Sequence, residues 1–110
     1  MPTRFRLVIA AAAVLAGSTA FLSAGDAPVV VSQKDRTFAP IAVTVKVGGT
    51  LAFKNNDDVT HNAFSTSKGN EFNSKAQQPG ETGTVTLKAK CEVEVRCAFH
   101  PKMKMTVTVQ

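Results

Sequence analysis

From residue 29 onward the apolar residues of this chain recur at every second position. Ile41, Val43, Val45 and Val47 alternate with Ala42, Thr44 and Lys46, which is the period of a half-buried strand. Thr82, Thr84 and Thr86 alternate with Gly83, Val85 and Leu87. Met105, Val107 and Val109 alternate with Thr106, Thr108 and Gln110. Val29-Val30-Val31, Thr50 to Lys54, Thr60 to Ser65 and Glu92 to Cys97 read as further strands. Polar and glycine punctuation separates them. Lys34-Asp35-Arg36 reads as a bend, Gly48-Gly49 as a turn, Asn55-Asn56-Asp57-Asp58 as a loop, and Ser67 to Gly80 as a long loop. No amphipathic helix is predicted in this region. The expected class is therefore all-β, with about seven to eight short strands in two packed sheets. Its core should be Val, Ile, Leu and Phe, since the chain has no Trp or Tyr.

The first stretch obeys a different rule. Arg4 and Arg6 precede an unbroken apolar run, Leu7 to Ala16, and small residues follow from Gly17 to Gly25. This is the order of a secretory signal peptide, and the run falls short of the roughly 20 apolar residues that span a bilayer. The division expected is a signal peptide over 1–24 and one domain over 25–110, with cleavage after Ala20 or Ala24 and export to the periplasm. Removing the two arginines lowers the formal charge from +5 to +3. The remaining charges are scattered, so neither nucleic-acid binding nor stable membrane insertion is expected.

An exported chain with two cysteines invites a disulfide, but Cys91 and Cys97 are poorly spaced for one. Glu92-Val93-Glu94-Val95-Arg96 between them alternates as a strand, which sets their α-carbons about 20 Å apart. A disulfide needs roughly 4.4–6.8 Å. Two thiols that cannot join call for another explanation of at least one.

The second cysteine has suggestive neighbours. In Cys97-Ala98-Phe99-His100-Pro101-Lys102-Met103 a thiol, an imidazole and a thioether recur at every third residue, in a short loop between two strands. His61, the only other histidine, stands upstream where it can close a set of His61, Cys97, His100 and Met103. Singly, each residue reads as packing or surface. Together they supply soft thiolate and thioether donors with two imidazoles, a set that suits copper in a trigonal Cys-His-His plane with a weak axial Met. Zinc is the competing metal, though thioether is an unusual ligand for it. Glu71 is a minor rival ligand. Asp57 and Asp58 read as solvated loop acids.

These residues resemble the cupredoxins, the plastocyanin and azurin group, and within them the amicyanin branch. The resemblance runs through Thr37-Phe38-Ala39-Pro40, Val43-Thr44-Val45-Lys46-Val47-Gly48, His61-Asn62 and Cys97-x-x-His100-Pro101-x-Met103. It implies a Greek-key β-sandwich holding one Cu(I)/Cu(II) ion through His61 Nδ1, His100 Nδ1 and the Cys97 thiolate. Met103 would be axial. Met105 is the other candidate, but the resemblance implies about seven residues after the axial Met, and Met105 shares parity with Val107 and Val109 as core. Asn62 would tie the ligand segments together near Cys97. His100 would be the partly exposed ligand and its edge the electron port, beside an apolar patch of Phe99 and Pro101. Val95 stands where many relatives have an aromatic residue, and Phe99 where amicyanin-like loops have Pro. Cys91 has no counterpart there and is expected as a free thiol.

The function this implies is a one-electron carrier between exported redox proteins, expected to be a monomer and not an enzyme. The alternative is a periplasmic copper-binding or delivery protein, which expects an exposed, Met-rich or His-rich site.

Overall fold

The computed structural model describes residues 27–110. The expected signal peptide lies outside the described residues. Nine strands follow: β1 Val29–Lys34, β2 Thr37–Ala39, β3 Ala42–Val45, β4 Thr50–Asn55, β5 Phe64–Ser65, β6 Phe72–Asn73, β7 Thr82–Thr86, β8 Cys91–Arg96 and β9 Lys104–Val109. They form a four-stranded sheet in the order β2-β1-β4-β7 and a five-stranded sheet in the order β3-β9-β8-β5-β6. Pairs β1/β4 and β3/β9 are parallel and the others antiparallel. Strands adjacent in sequence repeatedly switch sheets.

The all-β expectation holds, with differences of detail. Lys34-Asp35-Arg36 is not a simple bend. Asp35 and Arg36 both have positive φ, 51° and 54°, and form the two-residue turn of the β1–β2 hairpin, where such angles suit the strand twist. Asp35 suits the first position, but Arg36 stands where Gly is usual, which is why local turn chemistry does not mark this hairpin. Thr60 to Ser65 is extended only in part: His61 makes an isolated bridge with Gln77, and regular pairing begins at Phe64. The long loop from Ser67 contains β6 and that bridge. At Gly48-Gly49 each glycine has its own reason. Gly48 sits at φ 87°, and a Cβ on Gly49 would lie 2.9 Å from the Lys46 carbonyl oxygen.

The interior between the sheets holds Val31, Phe38, Leu51, Phe53, Val93, Val95 and Val107, all without exposure. Phe53 is its centre, with the Phe38 ring at 6.0 Å edge-on and the Phe72 ring at 6.3 Å stacked. Alternation decides who enters: in β8 Val93 and Val95 are buried while Glu92, Glu94 and Arg96 face out. Ile41 departs from expectation, at 64% exposed. It precedes β3, which is the edge strand of its sheet, so the alternating pattern runs past the end of the paired strand. Val47, beyond the other end of β3, is exposed for the same reason.

Candidate metal centre

Two chain segments meet at one end of the sandwich. The first is the loop between β8 and β9. Its ends are pinned, because Cys97 N–H donates to the Met103 carbonyl at 3.4 Å and Met103 N–H to the His100 carbonyl at 2.9 Å. The second leaves β4 and passes through His61. There the backbone pairs with Gln77 in both directions, His61 N–H to Gln77 carbonyl at 3.1 Å and Gln77 N–H to His61 carbonyl at 2.7 Å. Asn55 braces the turn between them, donating from Nδ2 to the carbonyls of Val59 and Gln77.

The structure brings His61, Cys97 and His100 together. Cys97 Sγ lies 3.7 Å from His61 Nδ1 and 3.8 Å from His100 Nδ1, and the donor atoms all lie within 4.8 Å of one another. Metal bonds to imidazole and thiolate of about 2.0–2.3 Å, spread in a plane, separate their donors by roughly 3.5–4 Å. The two S···N distances match. His61 and Cys97 are buried, at 0% and 1% exposure, while His100 is partly open. The imidazole rings face each other at 4.7 Å, tilted by 55°. Met103 is buried at the end of the same loop, one residue before β9. Met105 is equally buried, inside β9 opposite Val95. Glu71 is exposed and stands apart from the cluster.

Asn62 links the segments as expected. Its backbone N–H points at Cys97 Sγ at 3.5 Å, and its side-chain Oδ1 accepts from Ala98 N–H at 2.7 Å. A sulfur that receives an N–H is held with a fixed direction and a lowered electron density.

Asp57 corrects the sequence reading. It is no solvated loop acid: its side chain is 7% exposed and its Oδ2 lies 2.9 Å from His61 Nε2. The same oxygen accepts from Arg36 N–H at 2.9 Å, and Oδ1 accepts from Asp58 N–H. The His61 bond, then that of Arg36, holds its carboxyl far below the usual carboxylate range. An ionised carboxylate only accepts, so the proton of neutral His61 resides on Nε2. Nδ1 is left with its lone pair toward Cys97, the state a metal requires. The His61 four residues after Asp57 was the one available signal, but aspartate in a polar loop is too common to single out. Burial lowers the His100 pKa, which also favours a free lone pair.

Cys91 begins β8, at the end of that strand away from the cluster. It is half-buried and unbonded to Cys97. Asn70 Nδ2 donates to its sulfur at 3.1 Å.

A family model described as a cupredoxin-like domain matches residues 6–109. No curated protein sequence matches the chain at a significant level. Among solved structures, a copper-containing nitrite reductase from Thermus scotoductus SA-01 is 26% identical with a TM-score of 0.70, over 76% of this chain and 22% of that one. The chain thus spans under a quarter of that enzyme's length. A purple cupredoxin from Nitrosopumilus maritimus is 22% identical, TM-score 0.67, over 74% of this chain and 99% of that one. A mutant amicyanin in its Cu(I) form is 20% identical, TM-score 0.71, over 77% of this chain and 84% of that one.

Proposed function

The chain belongs to the cupredoxin-like family, a family that binds one copper ion, and on that footing we propose that it is a type 1 copper protein that carries single electrons. His61, Cys97, His100 and Met103 are the residues that would hold the copper ion. Copper bound by such a set supplies a one-electron Cu(I)/Cu(II) couple.

The observation that carries the reading is the convergence of one thiol and two imidazole Nδ1 atoms at 3.7 and 3.8 Å, with Asp57 and Asn62 already bonded to the donors from outside. A centre braced in this way before metal arrives has little to rearrange when its charge changes by one unit. Its burial argues against a delivery protein, whose cargo must leave easily. His61, Cys97 and Met103 are all 2% exposed or less, and only the His100 side is open.

That opening is the proposed electron port. Phe99, 51% exposed, and Pro101, also exposed, flank it with apolar surface. Such a rim suits brief contact with a donor or acceptor protein. We propose a monomeric carrier without catalytic activity, exported to the periplasm by a signal peptide over residues 1–24. In this reading both histidines of the sequence serve the one centre, which leaves neither for a second metal site of the kind a copper oxidase or nitrite reductase uses.

The test is to add Cu(II) to the protein and to a Cys97→Ser variant and record visible spectra. An intense blue or green charge-transfer band in the first, absent from the second, is the expected result. A colourless protein that retains no copper would sink the assignment.

A further inference from the structure

Gln33 is an anomaly of the core. It lies on β1 with no exposure, among residues that are otherwise apolar or fully hydrogen-bonded. Its Nε2 donates to the Asn62 carbonyl at 3.3 Å, but its Oε1 is the one buried side-chain oxygen or nitrogen among the described residues with no partner. The orientation is determined, since turning the amide over would press two carbonyl oxygens together. A leucine would fill similar space without stranding an acceptor, which is costly in a core. The amide is therefore explained only by what its nitrogen holds.

It holds Asn62, which makes contact with Cys97 through its own N–H and with Ala98 through Oδ1. Gln33 itself is fixed. Its backbone pairs with Phe38 on one side and Asn55 on the other, and its carbonyl accepts from Asn56 N–H at 2.8 Å. We infer that Gln33 is a positioning residue for the cysteine sulfur: from the four-stranded sheet it grips the Asn62 carbonyl and so keeps the Asn62 N–H on Cys97 Sγ. This deepens the copper reading and, for its electronic consequence, rests on it. An N–H directed at a thiolate stabilises the electron-rich, reduced state. Loosening Asn62 lowers the reduction potential.

The experiment compares the protein with Gln33→Leu and Val31→Ala. Val31 is a fully buried neighbour on the same face of β1, so its truncation loosens the core without removing any of these hydrogen bonds. In metal-free protein, exchange of the Asn62 and Ala98 amides, measured relative to the central amides of β8 and β9, should quicken about tenfold in Gln33→Leu and stay level in Val31→Ala. In copper-loaded protein, Gln33→Leu should shift the charge-transfer band and move the electron-exchange equilibrium with a reference redox protein about threefold toward oxidised copper. Unchanged relative exchange in Gln33→Leu, an equal change in Val31→Ala, or selective exchange with an unmoved band overturns the inference. Should the parent protein form no copper–thiolate band, the copper reading fails by itself and the exchange ratio alone decides on Gln33. Gln33→Met, unbranched and lacking a donor, replaces the leucine variant if that one does not fold.

Discussion

Removing the Asp57 carboxylate should weaken both the fold and the metal affinity, and the structure says by how much. Asp57→Ala deletes three hydrogen bonds, from Arg36 N–H, Asp58 N–H and His61 Nε2. The first two donors belong to exposed residues, and water replaces the lost acceptor at little cost. His61 is different because it is fully buried. A hydrogen bond to a charged group contributes about 1.5–3 kcal/mol. The open cavity of about 410 Å³ that Asp57 helps line, between Lys34, Arg36 and Asn56, admits water to the vacated place and brings the loss to the lower end, about 1.5 kcal/mol. With a urea dependence of about 1 kcal/mol per molar for a domain this small, the unfolding midpoint of metal-free protein falls by about 1.5 M. Losing the partner that fixes the imidazole tautomer weakens metal binding by about 10–100-fold. Asp57→Asn keeps one oxygen for Arg36 and His61 and should fall between the two proteins. Asp58→Ala, an exposed neighbour of equal charge, serves as control: it keeps the Asp57–His61 bond and should change both quantities far less. Equal effects from Asp57→Ala and Asp58→Ala in urea titration and copper competition would refute the reasoning, since the effect would then be one of net charge.

Two other predictions test the centre and the core that supports it. Met103→Leu should change the copper spectrum and raise the potential, while Met105→Leu should leave both alone; each nearly conserves volume and costs less than about 1.5 kcal/mol, so the comparison isolates the thioether, and reversed results would transfer the axial role to Met105. Phe53→Ala, which empties the space between Phe38 and Phe72, should cost about 3–5 kcal/mol in urea unfolding, and a loss under about 1 kcal/mol would show that the three rings do not form the support described.

The legible part of this protein is the part that local rules govern. Alternation at Val93 and Val95, and at Met105, Val107 and Val109, revealed strands and their inner faces because a strand's side chains must alternate. Three soft or imidazole donors at every third residue stood out in Cys97, His100 and Met103 because such residues are rare and the loop is short. What stayed hidden depends on residues far apart in sequence or on turns with untypical chemistry. Asp35-Arg36 carries positive φ without glycine, so the turn chemistry did not mark the β1–β2 hairpin, and only the family likeness pointed to a strand at Thr37-Phe38-Ala39. The alternation at Ile41 and Val47 promised burial that the short edge strand β3 does not provide. Asp57 looked like any loop acid until the turn after β4 folded it against His61.

By itself, then, the sequence determined the class of fold and the donor atoms available to a metal, because composition and periodicity act within a few residues. Only the tertiary structure decided how those donors are used. It placed His61 beside Cys97 across 36 residues, gave Asp57 to His61 Nε2 so that Nδ1 faces inward, and sent Gln33 from the four-stranded sheet to the carbonyl of Asn62. The physical reason is that each of these contacts depends on the packing of two sheets whose strands exchange places along the chain. No local pattern can encode a distance that exists only after both sheets have closed.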